Sequence, residues 1–319
     1  MGIGIPTLYL YHRLQQKGYI KGNQRVIELG SQDVSGETAQ LASVLKNLFE
    51  CKIDSETEIT AKNLYQSIGF ENYQCIDADG LHDALVFDLN QNIQKTYNFL
   101  EKFDLVTNHG TTEHCFNQYT CFLNIHNLCA INGLMIHVLP VQGYVNHGLF
   151  NYNPSFFYNL AAANNYKLIG VYLSTCKSHD PALYSIPGLI PYREGLVQSL
   201  IDFQGEPEMG LYVVLQKVKE QEFVMPYDGQ YLNINLLSDR YSLQERDRSH
   251  LEIAPEFIKD VEQSTNRFES IPRTSTELDQ LQAQLDRAHS EIEAMKTSKF
   301  WKLRTQWFKL KNTIGLPVN

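Results

Sequence analysis

The sequence predicts an α/β protein built on one mostly parallel sheet. Short apolar runs of the length of buried strands alternate along the chain with segments of helical periodicity. Hydrophobic residues make up 43% of the 319 residues, which is enough for a sizeable core. Polar side chains follow these runs directly, at the positions where parallel strands present residues to a ligand.

Each element follows from its local pattern. Seven apolar runs are predicted to be strands, over 24–29, 73–77, 84–90, 104–110, 134–140, 167–174 and 210–218. Helices are predicted over 7–17, 37–49, 92–103 and 116–132. A further helix is predicted within 54–70, after a polar cap region and before Gly69, which stops it. We therefore expect a helical lead over 1–23 and one α/β domain over 24–220.

The composition changes after the last predicted strand. Segment 221–276 is polar and weakly periodic, which is typical of a linker or loose extension. From 277 to 319 we expect a coiled coil followed by a basic amphipathic helix. The coiled coil rests on a heptad seam formed by Leu278, Leu281, Leu285, Ala288, Ile292 and Met295, which predicts self-association through 277–296.

The last helix, 296–311, mixes six basic residues with aromatic ones and has no acidic residue. This pattern suits docking to a membrane surface or to a partner, and it equally suits a helix that folds back onto the domain. The segment also resembles appendages on bacterial glycosyltransferases, which would make a glycosyltransferase the partner.

Bulk properties exclude some classes of function. The net charge of -9 gives no general attraction to nucleic acid. The sequence has no apolar run of membrane-spanning length, and its start lacks the features of a secretory signal. We expect a cytoplasmic protein that is peripheral at the inner membrane face through its tail.

Polar residues end the first four predicted strands. Glu28 ends the first strand, Asp77 the second and Asp88 the third, while Asn108 and His109 end the fourth. A carboxylate after the second strand suits two ribose hydroxyls, and an acid after the third can accept from an adenine amino group. A single strand-end Asp is commonly only a loop cap, so the ligand interpretation depends on several such residues together.

The turn after the first strand, Gly-Ser-Gln-Asp-Val-Ser-Gly over 30–36, narrows the choice of ligand. It lacks the G-x-G-x-x-G pattern that lets the backbone approach a pyrophosphate. Acids near the turn are also unfavourable beside phosphates. A phosphate-free ligand with an amino group, such as S-adenosylmethionine, suits this turn better than a dinucleotide.

The stretches E-L-G-S-Q-D, I-D-A-D, F-D-L-N and D-L-V-T-N-H-G resemble the class I S-adenosylmethionine-dependent methyltransferases over roughly 24–220. The resemblance implies a Rossmann-like, doubly wound sheet of seven strands, with the antiparallel last strand, 210–218, beside 167–174. It places Glu28 and Gly30 near the methionine part of the cofactor, Asp77 on the ribose and Asp88 on the adenine. Ser31, Gln32 and Asn108 complete the predicted cofactor site.

The sequence departs from the family pattern in two places. Gln32 and Val34 occupy positions where the family has glycines. The connection between Asp77 and Asp88 is too short to contain a full helix between two parallel strands.

The chemistry expected is methyl transfer to a hydroxyl, which gains from a general base that is most often His. His109 and His147 are the predicted catalytic residues because both follow strand ends, with Glu113 and His114 nearby. No metal site is predicted. A scattered Cys and His set matches no usual zinc spacing; it comprises His114, Cys115, Cys121, His126 and Cys129.

The acceptor is predicted to be a small molecule or a surface-glycan sugar. The stretch "NHGLFNYNPSFFYNL" (146–160) resembles a loop of bacterial methyltransferases linked to surface glycans. Two alternatives stay open: a non-catalytic module of the same fold that acts through its C-terminal tail, and a nicotinamide-dependent enzyme. Fold alone does not decide among the three.

Overall fold

A computed structural model of the chain describes residues 2–51, 59–193, 195–227 and 257. The chain divides into a unit over 1–268 and a second unit over 269–319. The predicted coiled coil and the basic tail lie in the second unit and outside the described residues. Residues 221–227, the described start of the expected linker, have no helix or strand.

The fold is built on one mixed sheet with the order β2-β1-β3-β4-β7-β5-β6. Neighbouring strands from β2 to β4 are parallel, whereas β7 is antiparallel to both β4 and β5. The strands are β1 (Arg25–Leu29), β2 (Asn72–Ile76), β3 (Phe103–His109), β4 (Cys129–Gln142), β5 (Lys167–Thr175), β6 (Ile190–Pro191) and β7 (Met209–Gln216). The predicted antiparallel pairing of the last strand is confirmed.

Helices flank the sheet on both faces. They are α1 (Ile5–Gln16), α2 (Thr38–Phe49), α3 (Ala61–Ser67), α4 (Ile93–Tyr97), α5 (Gln118–Leu128), α6 (Pro154–Asn164) and α7 (Leu196–Gln204). Buried residues of α1, α2 and α3 share one core cluster with alternate sheet residues such as Val26, Leu105 and Ile136. The intervening sheet residues face the other side, where His137 contacts Phe122 of α5 and Phe157 of α6.

The predicted strand over 84–90 is wrong. Only Leu85 pairs with the sheet, in one parallel bridge to Ile76. A parallel neighbour needs a crossover of a dozen or more residues, and the connection here is too short to supply one. The segment turns instead, and Phe87 stacks on Tyr97 with ring centroids 4.2 Å apart.

Two helix ends also differ from the prediction. The helix expected over 92–103 ends at Tyr97, because Asn98 adopts a left-handed conformation (φ 52°). The helix expected over 116–132 ends at Leu128, and β4 begins at Cys129. Asn132-Gly133 therefore lies within the irregular start of a strand and does not end a helix. Helices α6 and α7 and strand β6 were not predicted.

In the part of the chain that the structure describes, no helix is both long and apolar enough to cross a membrane.

Candidate functional site

The carboxyl ends of β2, β1, β3 and β4 lie side by side at one edge of the sheet, because these strands are parallel neighbours. The chain leaves β1 for β2 on one side and later reaches β3 on the other side of β1. This is the type of position at which open α/β sheets bind ligands. The turns that follow these strands carry most of the predicted site residues.

The turn after β1 is joined to the end of β2. Gly30 adopts a positive φ of 81°, and its N–H donates to the carbonyl of Ile76 over 2.7 Å. The N–H and hydroxyl of Ser31 donate to Oδ2 of Asp77 over 2.8 and 3.2 Å. Gly30, Ser31 and Asp77, three of the predicted cofactor residues, are therefore brought together at one place. Asp77 is half-buried, and its Oδ1 accepts from the N–H of Asp79 over 3.3 Å.

Gln32 lies across the turn. Its Nε2 donates to the carbonyl of Leu29 over 3.3 Å and to Oγ1 of Thr111 over 3.0 Å, so it bridges the ends of β1 and β3. The hydroxyl of Thr111 in turn donates to the carbonyl of Leu29. A Cβ placed on Gly30 would lie only 2.4 Å from Nε2 of Gln32, which shows that this side chain covers Gly30.

Glu28 supports the turn from beneath. Its side chain has no solvent exposure, and its carboxylate accepts from Tyr65 over 3.1 Å, from Tyr73 over 2.8 Å and from the N–H of Gln32 over 3.3 Å. Burial raises the pKa of Glu28 to about 7 despite these donors. In this structure Glu28 fixes the backbone of the turn and does not face solvent.

His109 and Asn108 are also buried. The alternation along β3 puts His109 on the face covered by α1, where its Nε2 lies 3.4 Å from the hydroxyl of Tyr11. Burial lowers the pKa of His109 to about 3. Asn108 faces the other way, and both of its amide atoms bond to Thr112. These positions disfavour the general-base role predicted for His109 and a direct cofactor contact by Asn108.

Asp88 lies in the irregular segment that replaces the predicted third strand. It is exposed, and its Oδ1 accepts from the N–H and the side-chain amide of Asn90 over 2.9 and 3.0 Å. These bonds make it the cap of its own turn, which was the alternative interpretation for a strand-end Asp.

His147 lies beside Glu113 and His114, and we call these three residues the Glu113 cluster. Nε2 of His147 is 3.4 Å from Oε1 of Glu113, and Nε2 of His114 is 4.0 Å from the same oxygen. Glu113 is fully buried, and burial raises its pKa to about 7. Partial burial lowers the pKa of His147. Of the two predicted catalytic histidines, only His147 has a partly exposed side chain.

Sequence reasoning missed Thr111, Tyr65 and Tyr73, which hold the first turn in place. Tyr73 lies on β2, two residues before the register partner of Glu28, and its hydroxyl reaches the Glu28 carboxylate. Tyr65 reaches the same carboxylate from α3. The sequence offered one signal for these residues. A glutamate at the end of a buried strand requires hydrogen-bond donors around its carboxylate.

Searches of known proteins return only distant structural matches. No protein-family model matches the chain, and no curated protein matches it. The N-methyltransferase NodS from Bradyrhizobium japonicum WM9 is 12% identical over 67% of this chain and 94% of that chain, with a TM-score of 0.34. A TehB-like S-adenosylmethionine-dependent methyltransferase from Corynebacterium glutamicum is 14% identical over 65% and 86%, with a TM-score of 0.32. Because these sequence identities and TM-scores are low, the assignment of the fold rests on the strand order of the chain itself.

Proposed function

We propose that the chain is an S-adenosylmethionine-dependent methyltransferase that acts on a hydroxyl of a small molecule or a surface-glycan sugar. One observation carries the proposal. The turn after β1 is tied to Asp77 at the end of β2, in a sheet whose antiparallel β7 lies between β4 and β5. That arrangement is the one implied by the methyltransferase resemblance of the sequence.

The residues at this edge suit the adenosine part of the cofactor. Asp77 already accepts from the N–H and hydroxyl of Ser31 and from the N–H of Asp79. A carboxylate has about four lone-pair sites, so two ribose hydroxyls would take the free site and replace one of the longer bonds. Asp88 is proposed for the adenine amino group, which requires it to loosen the turn that it now caps. The absence of a glycine-rich turn fits a cofactor that has no phosphate.

The methionine part of the cofactor would meet Gln32. In the described structure the Gln32 amide covers Gly30 and bonds to Thr111. Gln32 stands where the family pattern has its second glycine, and we propose that its side-chain amide contacts the cofactor. Glu28 acts indirectly, since its carboxylate accepts a hydrogen bond from the N–H of Gln32.

Bound S-adenosylmethionine supplies an activated methyl group on a sulfonium, so the protein has chiefly to align the acceptor. His147 is the proposed catalytic residue, because it is partly exposed beside the buried Glu113. Partial burial lowers the pKa of His147, which favours the neutral form that can accept a hydroxyl proton.

We also propose self-association through 277–296. For 296–311 we propose docking to an inner-membrane surface or to a glycosyltransferase, which would keep the cytoplasmic enzyme close to glycan acceptors. Both proposals rest on the sequence pattern alone, since these segments lie outside the described residues.

Calorimetric titration of the full chain with S-adenosylmethionine, and separately with a nicotinamide dinucleotide, tests the proposed function. We expect one S-adenosylmethionine to bind per chain and the dinucleotide to release no heat of binding. Binding of the dinucleotide alone would replace the proposal by a nicotinamide enzyme. Binding of neither would favour a non-catalytic module of this fold.

A further inference from the structure

The Glu113 cluster has the composition of a metal site, although His147 is distant in the sequence from the adjacent pair Glu113 and His114. Glu113, His114 and His147 each offer one ligand atom, and these atoms all lie within 4.8 Å of one another. A divalent ion with bonds of about 2.1 Å holds its ligand atoms about 3–4 Å apart. The distances of 3.4 and 4.0 Å from Oε1 of Glu113 already fall in that interval.

The carboxylate at the centre of the cluster is buried, and no other described residue donates a hydrogen bond to it. Glu113 has no solvent exposure, and neither of its oxygens accepts a hydrogen bond from any residue that the structure describes. The Nε2 of His147 likewise has no hydrogen-bond partner among these residues. A buried carboxylate must be protonated, paired or bound to a metal ion. The two imidazole nitrogens at 3.4 and 4.0 Å from Oε1 of Glu113 favour a shared cation here.

The backbone around the cluster is fixed. The carbonyl of Glu113 accepts from the N–H groups of Leu149 and Phe150 over 2.8 and 3.2 Å, which ties the loop that carries His147 to the turn after β3. Gly148 permits this approach, because a Cβ there would lie 2.9 Å from Cγ of Glu113. Tyr144, in the same loop, adopts a positive φ of 46°. Such strained residues cluster at functional sites.

From this geometry we propose that Glu113, His114 and His147 bind one divalent transition-metal ion. Two imidazoles and one carboxylate suit Zn²⁺ and related first-row ions, whereas Mg²⁺ prefers oxygen ligands only. Three protein ligands leave positions open for an exogenous oxygen. This departs from the sequence-based expectation of no metal, because only folding brings the turn after β3 and the loop after β4 together.

The proposed role of the ion rests on the proposed function, whereas the binding of the ion does not. An ion at this edge of the sheet would coordinate the acceptor hydroxyl and lower its pKa, which is the task assigned above to His147. His147 would then position the ion as a ligand, and the hydroxyl proton, made more acidic by the ion, would be lost to solvent.

Metal binding is tested on the full chain after dialysis against a chelator. We expect one Zn²⁺ per chain by calorimetry and by elemental analysis, with no competition from Mg²⁺. Glu113→Gln and His147→Ala should each weaken Zn²⁺ binding by at least about 10-fold, the lower end of the effect of even outer-shell ligand partners. His179→Ala is the matched control, since His179 also lies against a carboxylate, 2.8 Å from Oε2 of Glu206.

The thiols are the competing zinc ligands, because all six cysteines are free. Substitution of Co²⁺ for Zn²⁺ distinguishes binding by the cysteines from binding by the Glu113 cluster. Coordination by His and Glu gives no thiolate-to-metal charge-transfer band. Such a band, no stoichiometric Zn²⁺, or equal binding by the folded variants would overturn the proposal. Titration of the same samples with S-adenosylmethionine reports separately on the proposed function.

Discussion

Replacing Asp77 with alanine is expected to weaken the binding of S-adenosylmethionine by about 100-fold or more. A hydrogen bond to a charged group contributes about 1.5–3 kcal/mol, and the proposed contact with the ribose contains two of them. At about 1.4 kcal/mol per factor of ten, the two bonds correspond to at least this loss. Calorimetric titration of the variant and the parent chain measures it.

Two further variants separate a direct contact from a disturbed turn. Asp77 also holds Ser31. Ser31→Ala removes the hydroxyl bond from Ser31 to Asp77 and leaves in place its backbone bond of 2.8 Å and the bond from the N–H of Asp79. Asp79→Ala removes an exposed carboxylate from the same turn. We expect only small effects from both. If Asp77→Ala binds the cofactor as tightly as the parent does, the assignment of Asp77 to the ribose is wrong.

Glu28→Gln is expected to abolish a pH dependence of stability worth about 3 kcal/mol. Burial raises the pKa of Glu28 from 4.5 to about 7, so between these values the folded chain binds more protons than the unfolded one. The free energy of unfolding then falls by about 1.4 kcal/mol per pH unit as the pH rises. The contribution of protonated Glu28 is complete below pH 4.5 and is lost as the pH passes about 7.

Glutamine keeps the shape of the side chain and most of its bonds. Its oxygen can accept from Tyr73 and the N–H of Gln32, while its amide donates to the hydroxyl of Tyr65. Urea unfolding at pH 5 and pH 8 measures the change, with the exposed Glu71→Gln as control. The account of Glu28 fails if parent and variant lose the same stability between the two pH values.

Much of the sheet follows from local patterns in the sequence. The apolar runs that became β1, β2, β3, β5 and β7 are the length of buried strands and are flanked by turn residues, so local composition locates them. The proximity of Gly30 to Asp77 follows as well, because residues that end neighbouring parallel strands meet at one edge. Residues 84–90 have the same local pattern but do not form a strand, because the connection from β2 is too short for a parallel crossover.

The site depends on information that is not local. Whether His109 faces solvent is decided by strand alternation and by α1, which covers that face of the sheet. The partnership of Glu113 with His147 depends on how the loop after β4 packs on the turn after β3. The position of the Gln32 amide over Gly30 depends on Thr111, which is distant in the sequence. Patterns of residue type along one chain do not encode these packing choices.

A crystal structure of the full chain grown with S-adenosylhomocysteine tests the central claim most directly, because it locates the cofactor relative to the strand ends. We expect the ribose hydroxyls within about 3 Å of the carboxylate of Asp77, and the amide of Gln32 against the amino-acid part of the ligand. A ligand bound away from the ends of β1 and β2, with Asp77 still bonded only to its own chain, would contradict the account.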